Sequence, residues 1–102
     1  MLETFTVDTF APRLGEAFDM RLAGQALPAL TLIAATALPE HPLRDGQPAR
    51  RSPFTLIFRG PYAPLLPQRT YQLAHPALGT FDLFLVPIGP DREGLCYEAV
   101  FN

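Results

Sequence analysis

Apolar and polar residues alternate most clearly between Glu16 and Leu22. Phe18, Met20 and Leu22 fall on one side of an extended chain there, and Asp19 and Arg21 fall on the other. This two-residue period predicts a half-buried β-strand. Further apolar segments, separated by Pro and Gly turns, are also predicted as strands: Ala29 to Leu38, Phe54 to Phe58, Thr70 to Leu73, Phe81 to Ile88 and Leu95 to Phe101.

One short helix is predicted before the first strand. Asp8 can cap it, Phe10 and Leu14 lie four residues apart on one helical face, and Gly15 provides a stop signal. We therefore expect a helix or helical turn from Asp8 to Leu14.

The last two strands suggest a hairpin register in which Ile88 lies opposite Cys96 and Leu85 lies opposite Ala99. In that register both faces are largely apolar, so both must be covered by a closed barrel, a second sheet or another subunit. One face carries Leu83, Leu85, Tyr97, Ala99 and Phe101, and the other carries Phe84, Val86, Ile88, Cys96, Glu98 and Val100. The predicted fold is mainly β, with about six short antiparallel strands in a small barrel-like roll or sandwich.

The high proline content excludes long helices, because 12 of the 102 residues are Pro and they are spread along the chain. Pro39 to Pro53 is predicted to be an exposed loop, and Pro87 is expected to mark a strand end, a bulge or an edge. The length of the chain corresponds to a single domain over residues 1–102.

Charge and residue usage exclude several classes of function. All eight cationic side chains are Arg, so lysine Schiff-base and P-loop chemistry are excluded. The net charge is −2, and Arg50-Arg51 is the only basic cluster, so a nucleic-acid partner is not expected. Ser52 is the only serine and has no G-x-S-x-G context, which argues against a serine hydrolase.

The sequence also predicts a compartment. Cys96 is the only cysteine, so no intrachain disulfide can form, which fits a reducing environment. The first residues carry no signal-peptide pattern, and the longest apolar runs, about ten residues, are too short to span a bilayer. We expect a cytoplasmic protein with no membrane partner.

The C-terminal half resembles a family of small uncharacterised bacterial proteins that is classed as a domain of unknown function. The similar segments are Phe58–Pro61, Leu66–His75, Leu83–Pro90 and Tyr97–Asn102, with the pattern FRGP…LPQxTYxLxH…LFLVPIGP…YEAVFN. The resemblance extends from about Phe10 to Asn102 and implies no catalytic or binding residue. It does imply an accessory role around tail-like assemblies, because such proteins are often encoded near proteins resembling phage-tail collar or tail-fibre proteins.

Several titratable side chains are candidate site residues. His41 and His75 are the only histidines and show no metal-ligand spacing, so no metal or cofactor site is predicted. Cys96 with His75 could imitate a nucleophile pair, but Cys96 lies in an apolar strand, where a thiol behaves as a small hydrophobe. Asp82 and Glu98 interrupt apolar strands and would form an acid/base pair only if they converged. The favoured expectation is that each either pairs with Arg59, Arg69 or Arg21 or reaches solvent at an edge.

The segment Arg59-Gly60-Pro61-Tyr62 is the predicted partner contact. It combines an Arg at a strand end, a rigid Gly-Pro turn and an aromatic ring, and Arg and Tyr are enriched at interface hot spots. The alternative is a structural turn in which Arg59 bridges to a nearby carboxylate and Tyr62 covers the core.

Three functions follow as hypotheses. The favoured one is a non-enzymatic protein-interaction or assembly module that binds an unidentified protein. A homo-oligomer is an additional option under this hypothesis. The second is a small-ligand-binding barrel with an apolar pocket lined by Phe18, Phe58, Phe84 or Phe101. The third is a small enzyme that uses Asp82, Glu98 or His75.

Overall fold

The computed structural model describes residues 4–39 and 52–102 of the chain. Its described strands are β1 (Ala17–Leu22), β2 (Gln25–Ala37), β3 (Phe54–Gly60), β4 (Arg69–His75), β5 (Gly79–Pro90) and β6 (Leu95–Phe101). A short helix, α1 (Val7–Phe10), precedes them and continues as a 3-10 turn (Ala11–Arg13). The prediction of a mainly β fold with one short N-terminal helix is confirmed.

The strands form a closed antiparallel barrel in the order β1-β2-β3-β6-β5-β4. Of the two predicted architectures, the structure therefore adopts the barrel. The ladder that closes it, between β1 and β4, pairs Asp19–Arg21 with Gln72–Ala74. Closure removes the exposed strand edges of an open sheet.

The interior of the barrel is filled by side chains, as expected for so few strands. β3 shows the pattern most regularly, because every second residue from Phe54 to Gly60 is buried. The largest fully buried side chains are Tyr71, Tyr97, Phe10, Phe18, Phe54, Phe58, Met20, Leu30, Leu32, Leu56, Leu73 and Leu85.

Helix α1 fills the barrel end at which β5 and β6 separate. β5 pairs with β6 only over Val86–Pro90 and with β4 over Gly79–Leu85. Phe10 lies in the resulting space, with its ring centroid 6.2 Å from that of Phe81 on β5 and 5.8 Å from that of Phe101 on β6. Burial of this one ring joins the helix to both strands.

The helix begins earlier and ends sooner than predicted. Thr6 rather than Asp8 is its N-cap, and the Thr9 hydroxyl oxygen accepts a 3.0 Å hydrogen bond from the Thr6 N–H. Pro12 lies in the 3-10 turn, and Leu14 is 49% exposed. The predicted apolar pair of Phe10 and Leu14 is therefore wrong, because the chain leaves the α-helical path after Phe10.

Bulges explain how the strands accommodate prolines, namely Pro28, which was predicted to bound β2, and Pro87, which lies inside the predicted segment of β5. Asp19 faces both Pro28 and Ala29, so the proline sits where the β1–β2 ladder is interrupted. In the β5–β6 hairpin Ile88 is the extra residue. The bulge at Ile88 next to Pro87 confirms one of the expected roles of that proline.

The bulge at Ile88 also corrects the predicted register. Cys96 pairs with Gly89 rather than with Ile88, whereas the Val86–Glu98 pair agrees with the expected alignment. The β5–β6 ladder begins at Val86, so the predicted pairing of Leu85 with Ala99 does not form. Leu85 pairs only with Arg69 on β4. The predicted inner face is correct, because its members are all buried: Leu83, Leu85, Tyr97, Ala99 and Phe101.

The predicted loop from Pro39 to Pro53 can be compared only at its two ends. Residues 40–51 of it lie outside the described residues. Next to this stretch, the Leu38 N–H donates a 2.9 Å hydrogen bond to the Pro53 carbonyl. Ala37 is paired with Phe54 there, so β2 and β3 continue their ladder up to the loop.

We expect the Phe10→Ala substitution to lower the free energy of unfolding by about 3–5 kcal/mol, because it empties a fully buried position. Urea unfolding followed by circular dichroism measures this change. Leu14→Ala is the control and should change stability by less than about 0.5 kcal/mol, because Leu14 is exposed. Equal effects of the two substitutions would contradict the role assigned to Phe10.

Candidate functional site

The end of β3 is joined to the β5–β6 turn by an ion-pair cluster, which we define as Arg59, Asp91 and Glu93. The Arg59 Nε–H donates to both Asp91 carboxylate oxygens at 3.1 and 2.9 Å, and its Nη2 also contacts Asp91. The Arg59 Nη1 donates to Glu93 Oε2 at 3.0 Å. Paired hydrogen bonds of this kind fix a guanidinium in orientation as well as in position.

Asp91 also organises the turn itself. Its Oδ1 accepts hydrogen bonds from the Glu93 and Gly94 N–H groups at 2.8 and 3.0 Å. An Asp side chain that binds the backbone two or three residues ahead stabilises a tight turn. Gly94 is required in this turn, because a Cβ atom there would collide with the Gly60 carbonyl.

The cluster changes the protonation behaviour of its members. Hydrogen bonds from Arg59 and from the Glu93 N–H hold the pKa of Asp91 well below its usual range. The same contact with Asp91 raises the pKa of Arg59. Burial raises the pKa of the neighbouring Cys96 thiol, which is the opposite of what a reactive cysteine requires.

The predicted contact segment is divided between structural and exposed residues. Arg59 is held by Asp91 and Glu93, and Gly60 is buried where a Cβ would meet the Leu30 Cδ2 atom at 2.6 Å. Pro61 is exposed, and Tyr62 is 54% exposed. The Tyr62 hydroxyl donates a 2.7 Å hydrogen bond to the Asp91 carbonyl, so the ring is fixed on the surface by the same turn.

His75 is buried at the other end of β4, where it contacts Glu16. The distance from His75 Nε2 to Glu16 Oε1 is 2.6 Å, and His75 Nδ1 accepts a 3.0 Å hydrogen bond from the Ala77 N–H. Because Nδ1 is an acceptor, the ring donates to Glu16 through Nε2. Nε2 therefore ties β4 to the segment before β1, and Nδ1 holds the turn that follows β4.

The three residues of the enzyme hypothesis are not brought together. His75 is buried inside the barrel, whereas Asp82 is exposed on the outside. Glu98 pairs with Val86, four residues from Asp82 along β5, which corresponds to about 13 Å along the strand. Cys96 lies beside Arg59 on β3 and not beside His75. His41 lies outside the described residues.

The aromatic residues of the ligand hypothesis do not line a common pocket either. Phe18, Phe58 and Phe101 are buried in the core, and Phe84 is 49% exposed on the outside of β5. Among residues 4–39 and 52–102, no group of three His, Cys, Asp or Glu side chains is placed to hold a metal ion.

Three of the six large hydrophobic side chains that are exposed in the described part of the chain lie on the outer surface of β5 and β6. We define the apolar face as Phe84, Ile88 and Val100, which are 49%, 51% and 52% exposed. Beside it, Ile57 pairs with Glu98, and Glu98 in turn pairs with the half-buried Val86. This carboxylate makes no side-chain hydrogen bond or ion pair within the described part of the chain.

The family model of the domain of unknown function DUF6916 matches residues 5–101, which is nearly the full length of the barrel and its helix. The chain belongs to this family. The resemblance to an uncharacterised domain family is therefore confirmed. No curated protein and no solved structure shows significant similarity to this DUF6916 chain. None of its described helices is long and apolar enough to cross a membrane.

Sequence reasoning missed the partners of the key side chains in this DUF6916 barrel. Asp91 is 32 residues from Arg59, and Glu16 is 59 residues from His75. The available signal was the hairpin loop, because an Asp at its start commonly stabilises a turn. The alternative expectation of an Arg59–carboxylate bridge was sound, but the favoured carboxylates, Asp82 and Glu98, were not the ones used.

We expect Asp91→Asn to lower the free energy of unfolding at neutral pH. We also expect this free energy to fall less steeply with decreasing pH in the variant than in the original protein. The depressed pKa of Asp91 means that its contribution is present above about pH 4–5 and is lost as pH falls further, toward the folded-state pKa. Urea unfolding at several pH values should show that the unfolding free energies of the original protein and the variant converge as the pH is lowered.

Glu93→Gln is the matched control for that experiment, because Glu93 shares the contact with Arg59 but its side chain is 73% exposed. It should leave the pH profile of stability close to that of the original protein. A constant difference between the original protein and Asp91→Asn over the whole acid range would contradict the assignment.

A double-mutant cycle tests the contact between Glu16 and His75. We expect Glu16→Ala and His75→Ala to show a coupling of roughly 1 kcal/mol in unfolding free energy, because Glu16 is partly exposed and solvent weakens the pair. The cycle of His75→Ala with the distant Glu93→Ala should show no coupling. A Glu16–His75 coupling near zero would show that the contact does not stabilise the barrel.

Proposed function

We propose that this domain is a non-enzymatic protein-binding module of a bacterial cytoplasm, with an accessory role in assembly. The observation that carries the proposal is the apolar face on β5 and β6. Monomeric soluble proteins seldom expose large apolar patches, so exposed apolar side chains on two adjacent strands favour a surface that meets another protein. The partner is a protein different from this chain.

Glu98 suggests the chemistry of that partner. A half-buried carboxylate among apolar neighbours is poorly solvated, so a basic or hydrogen-bond-donating group opposite it would be favourable. The surface that fits is therefore apolar, with an Arg or Lys near its centre. Such an arrangement, with an apolar contact area and one satisfied charge, is common in specific protein interfaces.

The predicted contact segment extends this surface toward the β5–β6 turn. Gly89, the residue after Ile88, pairs with Cys96, and Cys96 pairs with Arg59 in the next strand. Tyr62 is fixed to Asp91 at the same turn and presents an exposed ring. We propose that the partner contacts Pro61 and Tyr62 directly, while Arg59 and Gly60 hold the segment in place.

The assembly concerned is proposed to be phage-tail-like. The support for this is the sequence resemblance alone, which implies an accessory role around tail components. An accessory protein of this kind needs a stable scaffold and an exposed contact face, and a closed barrel with an apolar outer face supplies both.

The test compares co-purification with two matched double substitutions. From the native host, the tagged original protein should co-purify with a stoichiometric partner. With the Phe84→Ser/Val100→Ser protein, the amount of that partner, measured by quantitative mass spectrometry, should fall at least about tenfold. Leu14→Ser/Leu65→Ser removes the same number of exposed apolar side chains elsewhere and should retain it.

A second variant checks the chemistry of the contact. Glu98→Lys should also release the partner, because it would place a cation opposite the proposed basic group. Capture of a tail component in a one-to-one ratio would support the tail-like role. Equal retention by all variants, or a protein that co-purifies only with a small molecule in native mass spectrometry, would contradict the proposed function.

A further inference from the structure

Three polar side chains form a straight row across the outside of β1, β4 and β5. Arg21 on β1 pairs with Gln72 on β4, and Gln72 pairs with Asp82 on β5. All three side chains are exposed and line one groove of about 340 Å³. The end of β1 at Leu22 and the following turn, Ala23 and Gly24, form a further wall of this groove.

None of the three side chains has a polar partner in the described part of the chain. The salt bridges and side-chain hydrogen bonds there use other residues. Neighbouring strands are about 4.8 Å apart, so the Arg21 and Asp82 backbones are separated by roughly 10 Å with Gln72 between them. The row therefore presents a cation, an amide and a carboxylate in that order.

This order has a simple symmetry. A rotation of 180° about an axis through Gln72 that lies in the interface, parallel to the strands, turns a second copy face to face with the first and brings its Arg21 opposite Asp82. An amide carries both donors and acceptors, so it can pair with a copy of itself. The row is consequently complementary in charge and hydrogen bonding to a second copy of itself, which is the requirement for an isologous interface.

We propose that this face binds a second copy of the chain in a two-fold dimer. Arg21 of each copy pairs with Asp82 of the other, and the two Gln72 amides meet at the axis. The carboxylate is short, while the guanidinium is long and can reach into the groove of the second copy. The rows that flank Gln72 and Asp82 on this face hold Thr70 with the exposed Phe84, and Ala74 with Thr80.

The inference goes beyond the proposed function, because it concerns different residues and a different occupant. Phe84, Ile88 and Val100 are not part of the row, and Phe84 lies beside it, two residues from Asp82 along β5. The dimer is tested on the protein alone, with substitutions at Arg21 and Asp82. The two proposals can therefore fail separately.

Charge reversal tests the dimer with the full chain. Sedimentation velocity from about 5 to 500 µM should show a concentration-dependent dimer for the original protein. Arg21→Asp and Asp82→Arg each create two like-charge contacts and should each raise the dissociation constant at least about tenfold. Arg92→Asp, on the exposed β5–β6 turn, is the control and should leave the dissociation constant unchanged.

The deciding step is to mix the Arg21→Asp and Asp82→Arg proteins in equal amounts. In a two-fold interface between them, one contact joins the two substituted positions with opposite charges, and the other contact keeps the original Arg21–Asp82 pair. The mixture should therefore form a heterodimer with the original affinity, identified by its mass in native mass spectrometry. The Arg21→Asp/Asp82→Arg double variant should recover the homodimer. A monomeric original protein, unaffected single variants, or no recovery in the mixture would each overturn the proposal.

Discussion

The barrel of this chain encloses an interior that only side chains can fill, and at one end the strands do not fill it themselves. Where β5 leaves β6 to pair with β4, the ring of Phe10 enters from the N-terminal helix and contacts Phe81 and Phe101. Phe5 packs edge-on against both Phe10 and Phe81. Because interiors are packed as densely as organic crystals, this aromatic cluster determines how the strands can close.

The opposite end of the molecule is held by charge rather than by aromatic packing. Arg59 and Asp91 connect the end of β3 to the β5–β6 turn, and Tyr62 is attached to that turn through a backbone carbonyl. The exposed ring is thus supported by an ordered network. A preorganised surface loses little conformational entropy when it binds, so this region suits recognition better than a loose loop would.

Local pattern accounts for much of the fold and little of the candidate site. Alternation predicts β1 and β6 within a residue of their observed bounds. It predicts β2 too short, because proline commonly ends a strand, whereas a bulge here absorbs Pro28. It predicts β5 too short at its end, because Gly89 and Pro90 are typical of a turn but continue the strand here. The ion pairs depend on which strands become neighbours, and the closing β1–β4 and β3–β6 ladders join segments far apart in sequence. A single sequence contains no local signal for such pairings.

The contact between Phe10 and Phe101 has a consequence for the order of events during synthesis. The two rings are 91 positions apart in the sequence, and both belong to the same buried cluster. While the ribosome is still adding β6, the site that Phe10 occupies lacks Phe101, so the burial of this ring is incomplete. Apolar side chains that are incompletely buried during synthesis can contact chaperones and other nascent chains. The packing that makes the finished barrel compact therefore postpones its completion until the last strand has emerged.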